Sequence, residues 1–348
     1  MRSLMSRAVG MLAIFSLVAG CGGGAAARPS STPSSSHSAA ASPPASGIGV
    51  ASLTGWILFT RAGAQYQDET IFTANANGTD VRRITEPGKT CCPAWSPDGR
   101  HILIAAGAPD GRVTTGIIGP DGSGERVLPL PRGTLQLGPG AWSPDSKWIA
   151  FEGWNDSKPG RQGIYYGPAS GAGRIIRLTH APGDLHDRPA AVSPDGSKVF
   201  FFRPVPGFPS YGNDLEGSLF VVGTNGKGLH RVTPAHLPVE VVGNAGGRLS
   251  VDGRWLVFTS AGVIWKIHPN GTGLTKVFHD PKGRLAITPT WSPDGRYILF
   301  GLDPPGSLGV VETPPSNGLY VIRADGTGLS PVIVSGDFKR EPDWVGAN

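Results

Sequence analysis

A five-residue phrase returns along this chain about every fifty residues. It reads Trp95-Ser96-Pro97-Asp98-Gly99, Trp142-Ser143-Pro144-Asp145-Ser146, Val192-Ser193-Pro194-Asp195-Gly196, Leu249-Ser250-Val251-Asp252-Gly253 and Trp291-Ser292-Pro293-Asp294-Gly295. Self-similarity at such a period marks a repeat architecture, in which each unit buries its apolar face against the next. An apolar run flanks each copy, as Arg296-Tyr297-Ile298-Leu299-Phe300 follows the last. Pro suits the second position of a type I turn and Gly the last. Each phrase therefore reads as the turn of a tight hairpin, strands A and B.

A second hairpin, strands C and D, follows each phrase. Its turns are Asn77-Gly78, Asp121-Gly122, Ser170-Gly171, Asn225-Gly226, Asn270-Gly271 and Asp325-Gly326, which supply the positive φ that hairpin turns need. Strand D often ends in an apolar-Thr pair, as in Ile84-Thr85, Leu178-Thr179 and Val232-Thr233. The C–D hairpins number six and the complete A–B hairpins five. The two chain ends supply the remainder. Trp56–Thr60 reads as a strand B without its A, and Arg340–Val345 as a strand A without its B. Joined, they complete a sixth blade and leave few exposed edges. The predicted fold is all-β: a six-bladed β-propeller of four-stranded antiparallel blades over 52–348, its ring closed by pairing of the N- and C-terminal strands. The 52 Gly, 33 Pro and only 16% charged residues suit such a turn-rich chain.

Residues 1–20 read as a signal peptide: Arg2 and Arg7, an apolar run from Val9 to Val18, then a small-residue exit. Val18-Ala19-Gly20-Cys21 resembles a bacterial lipobox, which implies lipidation of Cys21. Residues 21–51 are rich in Gly, Ala, Ser and Pro and hold almost no large apolar side chain before Ile48, so they read as a disordered tether. The expected localisation is extracytoplasmic, anchored to the bacterial cell membrane by a lipid on Cys21. Loss of residues 1–20 lowers the formal charge from +5 to +3. That is too small and too evenly spread for nucleic-acid binding.

The pattern Trp-Ser-Pro-Asp-Gly-Arg-Tyr-Ile-Leu-Phe at 291–300, with Asp325-Gly326-Thr327-Gly328 and the Leu-Thr pairs, resembles the propeller repeat of the TolB-like family. The resemblance covers essentially all of 52–348. It implies a six-bladed propeller that binds partners in the cell envelope. TolB carries an α/β domain before its propeller; here the tether occupies that place.

The repeated Asp98, Asp145, Asp195, Asp252 and Asp294 sit in tight turns on separate blades, which predicts a structural role. Trp95, Trp142 and Trp291 read as apolar wedges between blades. The long, dissimilar loops, B–C and D–A, belong to the opposite end of the ring. Function usually sits on irregular loops held by a rigid scaffold, so that end is the expected partner site. The candidates there are Trp154, Arg161, Arg203, Tyr211, His180, His186, His236 and His279, with His180, His236 and His279 as candidate ligands for a divalent metal. Adjacent Cys91 and Cys92 read as buried thiols, a vicinal disulfide or intermolecular partners. No nucleophile elbow, phosphate loop, dinucleotide fingerprint or Cys-x-x-Cys zinc pattern is present in the sequence.

The expected function is therefore non-enzymatic binding by a monomer, with no catalytic residues and no cofactor. The expected partner is an envelope protein or a cell-wall glycan or peptide. The alternatives are a metal-assisted lyase or hydrolase at the channel mouth, or a glycan or small-ligand sensor.

Overall fold

The computed structural model describes residues 47–62, 68–156, 158, 160–205, 214–242, 247–304, 317–335 and 337–347. Strands A to D of blade 2 are Ala94–Trp95, Ile102–Gly107, Val113–Ile118 and Arg126–Val127. Blade 3 comprises Gln136–Trp142, Trp148–Trp154, Gly163–Pro168 and Ile176–Arg177, and blade 4 Arg188–Val192, Lys198–Pro204, Asp214–Gly223 and His230–Arg231. Blade 5 comprises Arg248–Leu249, Leu256–Ser260, Val263–Ile267 and Thr275–Phe278, and blade 6 Leu285–Trp291, Tyr297–Asp303, Asn317–Arg323 and Ser330–Ser335. A further strand, Val239–Val242, pairs with the long strand C of blade 4 and with strand B of blade 5, so these two blades share one continuous sheet.

Blade 1 is the junction of the chain ends. Phe338–Val345 pairs antiparallel with Trp56–Ala62, with Trp56 opposite Val345 and Ile57 opposite Trp344, and strands Thr70–Asn75 and Arg82–Arg83 complete it. The six A strands neighbour one another in turn around the axis and line a central channel. The ring is thus closed by the two loose ends. The folded chain begins before the expected boundary at residue 52: Ile48 is buried against Leu319 and Ile333 of blade 6 and donates its N–H to Ser330 Oγ at 2.8 Å.

The phrase folds the same way in all five copies. The Ser hydroxyl donates to Asp Oδ1 at 2.5–2.6 Å. The same Oδ1 accepts the N–H two residues further on at 3.0–3.1 Å. The Ser oxygen accepts the N–H five residues after it at 2.8–3.0 Å. Each carboxylate is consumed by its own turn. The hydrogen bonds from Ser193 and Ser197 hold Asp195 down at about 2. The copy with Val251 in place of Pro keeps this clasp, because Ser250 and Asp252 carry it. The apolar-Thr pair has an equally local cause: Thr85, Thr179 and Thr233 accept the N–H of Ile71, Ile164 and Leu219 in strand C at 2.9–3.0 Å.

Cores lie between successive blades. Phe200, Phe202 and Leu219 of blade 4 pack against Leu256, Phe258 and Ile267 of blade 5. The phrase Trp residues are buried wedges, and Trp142 donates its indole N–H to Ala94 O of the preceding blade at 3.2 Å.

Candidate functional site

In an up-and-down blade the A–B and C–D turns emerge at one end of the ring, here the turn end. The B–C and D–A connections emerge at the other, the loop end. At the loop end, several candidates are built into the wall. Trp154 is the last residue of a strand, not a loop residue, and tilts onto His186 with ring centroids 5.7 Å apart. His186 is only 5% exposed and its Nδ1 lies 2.8 Å from Glu152 Oε1. Arg203 lies in a strand too, one residue before its end. Its Nε and Nη2 donate to Asp187 Oδ1 and Oδ2 at 2.6 and 2.7 Å, and Asp187 has no exposed surface. Burial of the Asp187 charge requires that partner, so Arg203 is a brace rather than a displayed cation.

The remaining loop-end candidates are dispersed. Arg161, His180, His236 and His279 are exposed on separate segments. Tyr211 lies outside the described residues. Among the described residues no three His, Cys, Asp or Glu side chains converge to hold a metal ion, and His180, His236 and His279 are not brought together. His180 and His279 follow the D strands of blades 3 and 5, which are not neighbours in the ring.

Toward the loop end a small cavity, the neck, holds about 10 Å³ and is bordered by Cys92, Pro139, Glu152, Arg188, Arg248 and Glu341. Cys91 and Cys92 are joined by a disulfide. Cys92, Thr288 and Glu341 hold the same place, three residues before the phrase Trp or its counterpart, and all have positive φ: 67°, 46° and 50°. At Thr288 and Glu341 the strand pairing also skips a residue, so the inner strand bulges there. Cys92 and Glu341 border the neck. Beside it, burial and the charge of Glu341 push the Glu69 carboxyl up to about 7, against the pull of Thr60 and Arg340.

At the turn end the channel opens into a pocket of about 470 Å³. The segments Trp95-Ser96-Pro97, Ala141-Trp142, Ala191-Val192, Arg248-Leu249, Thr290-Trp291 and Asp343-Trp344 wall it. The phrase that closes each hairpin also lines this cavity, because all six innermost strands end there. Asp343 is already committed: its Oδ2 accepts the N–H of Trp95 at 2.8 Å and its Oδ1 that of Trp344 at 3.0 Å.

The fold was compared with known proteins. A TolB from Acinetobacter baumannii superposes with a TM-score of 0.61 over 84% of this chain and 67% of that one, at 18% identity. A TolB-type structure from Agrobacterium tumefaciens gives 0.57 over 84% of this chain and all of that one, at 14% identity. The fold is that of a TolB-like β-propeller. No family profile matches the chain. An uncharacterized protein of Agrobacterium fabrum is 25% identical over 214 residues, and the chain spans 64% of that relative's length.

The exposed apolar side chains of this TolB-like propeller are distributed unevenly. Among the described residues, Trp56, Val81, Val127, Trp148, Ile176, Leu229 and Val251 lie at or next to A–B or C–D turns, whereas Val205 and Val334 lie toward the loop end. Sequence reasoning placed binding at the loops because irregularity signals function. It did not single out the turn-end pocket, because the same short phrase is repeated there. A signal was nonetheless available. The residue before the phrase Trp is small in Ala94, Ala141, Ala191 and Thr290 but charged in Arg248 and Asp343.

Proposed function

We propose that this chain is a non-enzymatic binding propeller of the cell envelope, held to the membrane by lipid on Cys21, and that it receives its partner at the turn end of the channel. One observation carries the reading: the open, mainly apolar pocket lies at the end of the ring that carries most of the exposed apolar side chains among the described residues. Contiguous exposed apolar surface marks interaction sites, and an apolar concavity with few polar groups suits a ligand. The reading departs from the expectation of a loop-end site, where Trp154, His186 and Arg203 are occupied with one another and with their neighbours. Its partner is an envelope protein or a cell-wall peptide.

Two variants test the reading. Cys21→Ser is expected to move the protein from the membrane to the soluble fraction, since acyl chains supply about 0.8 kcal/mol per buried CH2. Val251→Glu places a charge on the rim of the pocket at a residue 65% exposed, where the fold tolerates it. Capture of the partner by cross-linking in intact cells is expected to fall about tenfold or more, since desolvating an unpaired charge at an interface costs more than about 1.4 kcal/mol. Unchanged capture with Val251→Glu, together with loss on Arg161→Glu, returns the site to the loop end.

A further inference from the structure

We propose that Arg248 is an anion anchor at the floor of the turn-end pocket, and that the pocket takes a ligand with an apolar body ending in a carboxylate. This rests on the turn end being the binding end and names the chemistry that it selects.

Four observations converge on Arg248. First, it breaks the repeat. At its position, blades 2, 3, 4 and 6 carry Ala94, Ala141, Ala191 and Thr290, side chains too small to reach far into the channel. Second, it borders both the pocket and the neck beneath, so it stands at the junction of the two. Third, it lacks a carboxylate partner. Among the described residues no acid lies in ion-pair contact with it. Its Nη1 reaches only the carbonyls of Ala190 and Gly247, at 3.4 and 3.5 Å, the long limit of a hydrogen bond. Fourth, the walls above it are apolar, formed by Trp95, Trp142, Val192, Leu249 and Trp291. A guanidinium beside such walls binds a carboxylate more strongly than one in open water.

The acids nearby bear on the sign. Asp343 shares the pocket wall, but two backbone N–H groups hold it. Glu152 and Glu341 border the neck with both Arg188 and Arg248, without an ion pair to Arg248 among the described residues, and Glu152 faces His186. Arg248 is thus the charged group of the pocket left to meet a ligand. The neck beneath Arg248 holds about 10 Å³, room for roughly one water. The pocket opens at the turn end, and a ligand entering there with its anion foremost meets Arg248. A polypeptide enters end-on with its carboxyl terminus foremost; a free apolar acid presents the same group.

The test uses the full-length chain in detergent and three probes: an N-acetylated tripeptide Ala-Ala-Phe as the free acid, the same tripeptide as its C-terminal amide, and 3-phenylpropionate. Binding is read by tryptophan fluorescence and calorimetry. The free acid is expected to bind about tenfold or more tightly than the amide. Arg248→Gln is expected to remove that preference while the amide affinity and melting temperature stay unchanged, and Arg248→Lys to restore part of it. If 3-phenylpropionate matches the peptide acid, the ligand is a free apolar acid; if only the peptide binds, it is a chain terminus. Equal affinity for acid and amide, an unchanged preference in Arg248→Gln, or no saturation by any probe at millimolar concentration overturns the proposal. Cross-linking through the pocket rim separates the two failures. If a partner is still captured there, the anion anchor alone is wrong; if none is, the turn-end reading falls with it.

Discussion

Asp187→Ala is expected to lower the stability of this propeller by about 3–5 kcal/mol, the largest loss for any single side chain described here. Asp187 has no exposed surface and accepts three hydrogen bonds: two from Arg203 and one from Thr179 Oγ1 at 2.6 Å. Thr179 in turn accepts the N–H of Ile164, so the network ties the D–A connection of blade 3 to strand B of blade 4. Removing the carboxylate leaves a guanidinium whose side chain is 13% exposed without its counter-charge. The melting temperature should fall by roughly 10 °C for a domain of this size. Replacing both partners by apolar residues, Asp187→Leu with Arg203→Met, should recover much of the loss, because the penalty lies in the stranded charge. If Asp187→Ala melts like the parent, Arg203 is free to act as a ligand contact and the loop end regains its claim.

A second large effect concerns pH. The Glu69 carboxyl lies at about 7 in the folded protein against an ordinary 4.5. A raised carboxyl binds its proton more tightly folded than unfolded. Stability is therefore highest below the unfolded value, falls as pH rises from about 4.5 to 7, and levels off above. A difference of 2.5 between the two values corresponds to roughly 3 kcal/mol. Glu341 shares in this cost, since its charge is one of the causes. Glu69→Gln should match the parent at pH 4 and exceed it at pH 8 in urea unfolding, with a flatter dependence between. A parent more stable at pH 8 than at pH 5 would contradict the burial of this pair.

Much of the fold could be read from residues because the turn chemistry is local. Ser193, Asp195 and Gly196 make their hairpin with one another, so the string alone announces it. The loose strands at Trp56 and Trp344 had one economical use, and they pair. The site was less legible because its geometry comes from closure. Trp95, Trp142 and Trp291 looked like blade wedges, and they are; no string shows that six A-strand ends enclose a pocket. His186 and Glu152 lie 34 residues apart, and only the packing of blades 3 and 4 joins them. The irregular loops drew attention, yet the informative residue was Arg248, a charged exception within the most regular part of the repeat.

The central claim is that the partner meets the turn end of the channel. A photo-cross-linking amino acid placed at Val251 on the pocket rim, and separately at His180 at the loop end, tests it in intact cells. The account predicts a discrete cross-linked product from position 251 that free Ala-Ala-Phe acid competes away, and none from position 180. A product from position 180 with none from 251 would contradict it.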